Sequence, residues 1–241
     1  MPATAKPTAQ SILDELRPLG SDAYRQILLK HGAKDPIYGV KVEHLKKIQK
    51  RIKEDYQLAL DLFDTGVYDA MYLAGLIADD QRMTKKDLRH WAATAKSPAI
   101  GGYTVAWVAA GSTHAREIAL EWIDSKVEGV ASAGWNSLAG LVSITADADL
   151  DLKELKQLLQ RVVTTIHNQP DHVRYAMNAF VISVGCYVKP LTDDAVATAR
   201  KLGKITVDMG DTACKVPDAA AYIDKVKRRG TLGRKRATAK C

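Results

Sequence analysis

The chain has 241 residues, 46% hydrophobic and 26% charged, enough for one sizeable folded domain and too apolar for a disordered polypeptide. Its formal charge of +7 is concentrated at one end: from Lys225 onward eight basic residues face no acidic one, leaving 27 of the 35 basic residues against 28 acidic ones before it. No run approaches the roughly 18 apolar residues of a membrane span, the first ten residues lack the apolar core of a secretory signal, and Cys186, Cys214 and Cys241 have neither the number nor the spacing of a disulfide framework or zinc ribbon. The expectation is therefore a cytoplasmic monomer with no membrane partner, metal or cofactor.

Residues 1–10 form a Pro/Ala/Thr leader expected to be disordered. Ser11 with Asp14 reads as a capping box opening a short helix that Pro18 and Gly20 close, and Ser21 starts a second that runs to His31. Beyond the turn at 35–39, Val42, Leu45, Ile48 and Ile52 recur at helical spacing, with Lys46, Lys47 and Lys50 on the other faces. Helices follow at 58–63, 67–78, 85–95 (capped by Thr84 with Asp87), 103–110 and 113–124. Pro98 and the Gly101-Gly102 pair read as an interruption before the fourth of these. A helix around 135–144, long ones at 152–167 and 171–188, and two more ending at Leu202 and Arg228 complete the domain, 11–228. Residues 229–241 read as a basic, flexible tail. Only 204–207 resembles a strand, so the class is all-α, and the rhythm of helix pairs every 35 to 45 residues suits an α-solenoid: a right-handed superhelix of HEAT-like antiparallel pairs.

Signatures of nucleotide hydrolysis, dinucleotide binding, zinc proteolysis and α/β-hydrolase chemistry are absent. The stretch 207–217, with two carboxylates and the Cys214 thiol, reads as a structured connector with Asp211 as a cap. The densest aromatic region holds Tyr103, Trp107, Trp122 and Trp135, and rings of this size form either the thickest part of a core or the wall of a groove. Asp69 stands on an otherwise apolar segment, where its carboxylate either points into a groove or is an ordinary exposed acid.

Ile37-Tyr-Gly-Val-Lys41 with Leu45-Lys-Lys-Ile48, and Leu62-Phe-Asp-Thr-Gly-Val-Tyr-Asp-Ala-Met-Tyr-Leu-Ala74, resemble the opening blocks of the DNA alkylation repair family, alkylpurine DNA glycosylases built from HEAT-like repeats. Residues 84–88, 103–109 and 172–178 stand where later family blocks fall, and the resemblance spans about residues 21–190. It implies excision of N3- or N7-alkylated purines, in which aromatic faces hold the cationic base and a carboxylate stabilises the developing oxocarbenium ion. The chain departs from the family at Ala106, where the catalytic aspartate falls, and at 98–102, where a tryptophan is expected. It departs again around Trp135, which lacks a backbone-gripping arginine, and at Ala179 or Phe180 in place of a late tryptophan.

The resemblance thus implies a groove that binds double-stranded DNA, and leaves its chemistry open. Either the protein is a glycosylase rebuilt on Asp69, Tyr103, Trp107 and Trp135, or it is a non-catalytic adaptor for DNA or protein. Phosphate contacts are expected from Lys46, Lys47, Lys50 and Arg174, and from Arg228, Arg229, Arg234, Lys235 and Arg236 toward the end of the chain.

Overall fold

The computed structural model describes residues 6–95, 97–208, 212 and 214–241. Among them the regular structure is all helical, with no strand; 204–207 is irregular, and one isolated bridge joins Gly20 to Val40. The α-helices are α1 (Ala9–Leu16), α2 (Asp22–Lys30), α3 (Val42–Ile52), α4 (Tyr56–Asp64), α5 (Tyr68–Ile77), α6 (Lys85–Thr94), α7 (Ala106–Gly111), α8 (Ala115–Trp122), α9 (Glu128–Ile144), α10 (Leu152–Thr165), α11 (Asp171–Tyr187), α12 (Thr192–Leu202) and α13 (Ala219–Arg228). No helix among the described residues is long and apolar enough to cross a membrane.

Side-chain caps set many of the boundaries. Ser21 accepts from the Tyr24 N–H, Asp55 from that of Leu58, Asp151 from that of Glu154, and Thr84 and Asp87 form a reciprocal capping box. The first helix starts earlier than expected because Thr8 is its cap and Ser11 returns the bond, so the leader orders before residue 10; residues 1–5 lie outside the described residues. Gly101 and Gly102 do not interrupt the chain. Ile100–Val105 is a π-helical turn continuous with α7, the wider coil that recurs at functional sites.

From α4 onward the helices pair as α4/α5, α6 with the π turn that leads into α7, α8/α9, α10/α11 and α12/α13, and the second members, the π turn included, stack on one another to form the inner row of the right-handed superhelix. Close approach needs small residues: a Cβ on Gly134 of α9 would lie 2.7 Å from the Ile123 nitrogen, and one on Gly140 2.7 Å from the Cβ of Ala110 on α7. Two apolar clusters fill the interior, and α9 is their shared wall, with Ala133 in one and Trp135 in the other. Trp91 stacks on Phe63 at 4.0 Å, and Trp135 packs 5.3 Å from Phe180.

The outer row is laced by ion pairs between successive repeats. Lys85 and Arg89 of α6 reach Glu117 and Glu121 of α8, Arg116 of α8 reaches Glu154 of α10, and Lys156 of α10 reaches Asp194 of α12. Each such exposed pair contributes about 0–1 kcal/mol, but together they leave much of the convex surface electrically self-paired.

The basic segment after α13 is not a free arm. It runs as a strap across the ends of the inner helices, where the last carbonyls of a helix lack partners within it. The Gly233 N–H donates to the Cys186 carbonyl of α11 (2.8 Å), and the Arg236 N–H to that of Ser143 on α9 (2.8 Å). The Lys235 ammonium donates to Val142 O (2.9 Å) and lies 2.8 Å from Asp147. Farther along, the Lys240 ammonium meets Ala78 O (2.6 Å), at the end of α5, and Asp80 (2.8 Å), while Ala239 is buried. Cationic and N–H groups are here set against the negative ends of three helix dipoles.

Candidate nucleic-acid interface

The inner row presents a short aromatic strip. The π turn turns Tyr103 outward, 44% exposed, and Trp107 one turn later is half-buried. Tyr72 of α5 meets the Trp107 ring edge-on at 5.5 Å, and Tyr103 lies 6.5 Å from it at a tilt of 40°. The hydroxyl end of Tyr103 turns toward Tyr175 of α11; desolvation there, with that hydrogen bond, pushes its phenol up to about 12. Burial likewise raises the Tyr72 phenol, with Cys241 as its hydrogen-bonding neighbour. Three inner elements, α5, the π turn with α7, and α11, thus contribute rings to one surface, with α9 lying between the last two. The floor beneath is polar and closely packed: Gly102 is buried, and a Cβ on it would stand 3.3 Å from Asn136 Nδ2 and 3.6 Å from Ser132 Oγ.

The other residues singled out from the sequence lie elsewhere. Asp69 is fully buried, and both carboxylate oxygens are occupied. Oδ2 accepts from the N–H groups of Tyr38 (2.7 Å) and Gly39 (3.3 Å), and Oδ1 from that of Val40 (2.7 Å). Burial pushes its pKa up and the three N–H groups pull the other way; what the side chain does is hold the 38–40 loop against the first turn of α5. Trp135, 1% exposed and carrying the Arg161 guanidinium over its ring at 5.7 Å, is core and does not line the groove. Ala106, where the resemblance places an aspartate, is itself buried.

The cations divide in the same way. Lys47 and Lys50 are exposed on α3, and Lys46 approaches the Cys241 sulfur at 3.8 Å. Arg174 is paired with Asp171, which also accepts the Asp208 N–H at 3.2 Å, so it fastens the following loop to α11. Arg228, Arg229 and Arg234 are exposed, whereas Lys235 is committed to the strap and Arg236 donates to Lys240 O at 3.0 Å. Lys204 and Lys215, absent from the sequence expectation, line a recess of about 430 Å³ beside Asn178 and Cys214. Asp211, expected as a cap, lies outside the described residues. Among those residues no cluster of three or more metal-ligating side chains occurs.

A sequence model of the DNA alkylation repair enzyme family matches residues 12–222. The chain belongs to that family. Among curated relatives, uncharacterised proteins of Listeria innocua and Listeria monocytogenes are each 31% identical over 220 residues, covering 89% of this chain and 95% of theirs. A solved structure 33% identical in sequence superimposes with a TM-score of 0.89 over 98% of this chain and 100% of its own. It is described as belonging to a new family of proteins related to the HEAT-like repeat DNA glycosylases, with affinity for branched DNA structures. This alkylation-repair family member therefore shares its fold end to end with a protein related to the HEAT-like repeat DNA glycosylases.

Proposed function

We propose that this family member binds DNA along its inner helical row, prefers branched over linear duplex DNA, and does not excise bases. The observation that carries the reading is the pairing of an exposed ring, Tyr103, with a carboxylate, Asp69, whose oxygens are both taken by backbone N–H groups. A glycosylase needs an acid facing the sugar; a binding protein needs only the ring. The solved relative's affinity for branched DNA supports the choice of ligand. At a branch point the stack of base pairs is broken, so a base face is open to an aromatic side chain, and such stacking contributes about 1–3 kcal/mol per base. Exposed Lys47, Lys50, Lys204 and Lys215 are the phosphate contacts in this reading.

The test is a titration of the full chain with a four-way junction and with a linear duplex of equal length, beside an assay for 7-methylguanine release from methylated duplex. Junction binding at least about tenfold tighter, with no base released, is the expected result. Equal affinity for both forms overturns the branch preference, and release of free base overturns the non-excising assignment.

A further inference from the structure

His31 caps the end of α2, and its two ring nitrogens have different neighbours. Nδ1 lies 2.8 Å from the Ile27 carbonyl oxygen, and Nε2 lies 3.7 Å from the sulfur of Cys214, 183 residues farther along the chain. A nitrogen facing a carbonyl oxygen carries a hydrogen, because two lone pairs repel; the basic nitrogen of the neutral ring is therefore Nε2, the one turned to the thiol. The same ring sits at the negative end of a helix dipole, which favours the imidazolium. Cys214 is exposed, and its own N–H donates to Thr212 Oγ1 at 3.3 Å.

The acid–base behaviour of the pair agrees with this geometry. Thr212 and then His31 hold the Cys214 thiol below its usual range, while the Ile27 carbonyl and then Cys214 raise His31. Among the described residues Tyr103 from the π turn also faces the sulfur, and it is hydrogen-bonded in turn to Tyr175. The chain's two remaining cysteines serve as references: Cys241 is exposed, beside Lys46 and Tyr72, and Cys186 is buried and pushed up to about 11 by desolvation.

We propose that Cys214, activated by His31, is a nucleophilic thiol site that takes small disulfides and other soft electrophiles. In the exchange, the Cys214 sulfur attacks one sulfur of the disulfide, the old S–S bond breaks as the new one forms, and the departing thiolate takes the proton held on His31 Nε2. No further oxidant is required. The sulfur touches His31 at the end of α2, so an adduct on it bears on a contact between two elements far apart in sequence.

The experiment is brief alkylation of the folded full chain with limiting iodoacetamide across a pH series, with peptide mapping, followed by incubation with oxidised glutathione. At neutral pH Cys214 is expected to react about fivefold faster than Cys241, with Cys186 unreactive, and glutathione to add once, at Cys214, reversibly with dithiothreitol. His31→Gln removes the advantage of Cys214 and moves its rate profile to higher pH. Cys214→Ser abolishes the fast phase and leaves the slow one, a readout that stands even if the histidine variant melts early. Cys214 reacting no faster than Cys241, or reacting as fast without His31, overturns the proposal.

Discussion

The Lys240 ammonium lies 2.8 Å from the Asp80 carboxylate, joining the strap to the fifth helix's end across 160 residues of chain, with both side chains largely enclosed at 11% and 16% exposure. Burial pushes Asp80 up to about 6, and the lysine is what restrains it from going further. A carboxyl raised in the folded state stabilises the fold in full below its unfolded value of 3.8 and loses that contribution as pH rises through about 6. Replacing Lys240 by Met is expected to move the Asp80 midpoint higher and to steepen the loss of stability between pH 4 and 7. Carboxyl NMR titration and urea melts at several pH values measure the two effects.

Removing residues 230–241 is expected to destabilise the protein. Four hydrogen bonds from the strap to helix-end carbonyls are lost with the deletion, each contributing on the order of 1 kcal/mol, so a loss of about 3–4 kcal/mol should appear as a lower urea midpoint.

Salt dependence separates the cations that meet DNA from those that hold the fold. Lys47→Gln or Lys50→Gln is expected to weaken DNA binding and reduce the slope of log affinity against log salt by about one each. Lys235→Met, whose ammonium is occupied by Val142 and Asp147, is expected to lower stability and leave the slope unchanged. Anisotropy titrations at 50 to 200 mM salt, a range chosen from the general behaviour of phosphate contacts, read both.

Asp69→Asn places an amide nitrogen against a backbone N–H that now donates to a carboxylate. An orphaned buried donor costs about 1–3 kcal/mol, more where a charge was involved. The expected outcome is a markedly lower thermal midpoint, with DNA affinity at 10 °C unchanged once the protein is folded.

Tyr103→Ala removes an exposed ring, so stability should change by less than about 1 kcal/mol. Junction affinity is expected to fall by about 5- to 100-fold, with linear duplex affinity little affected. Paired titrations of the variant check it; a parallel fall on both ligands assigns the ring to general backbone contact.

The helices were legible because apolar residues recur at helical spacing and because caps such as Thr84 with Asp87 act within four residues. What was not legible acts over long separations. The acceptors' partners decide Asp69, and these lie about 30 residues away in a loop whose backbone direction no local pattern reveals. A run of cations looks the same whether it meets a phosphate chain or the carbonyl ends of helices, so the strap read as a polyanion-binding arm. Trp107 and Trp135 are equivalent in composition, and only the packing of α9 against α11 encloses the second and not the first. The Gly101-Gly102 pair signalled a break because glycine more often ends a helix than widens one.

A stack of helical repeats ordinarily couples each unit only to its neighbours, so that it frays from whichever end is weaker. The strap adds a hoop to this stack: one peptide grips α11, α9 and α5 in turn and reaches Lys46 on α3. Loosening any of the gripped helices strips the hoop from the others, which converts a row of separable layers into a body that comes apart in a single step.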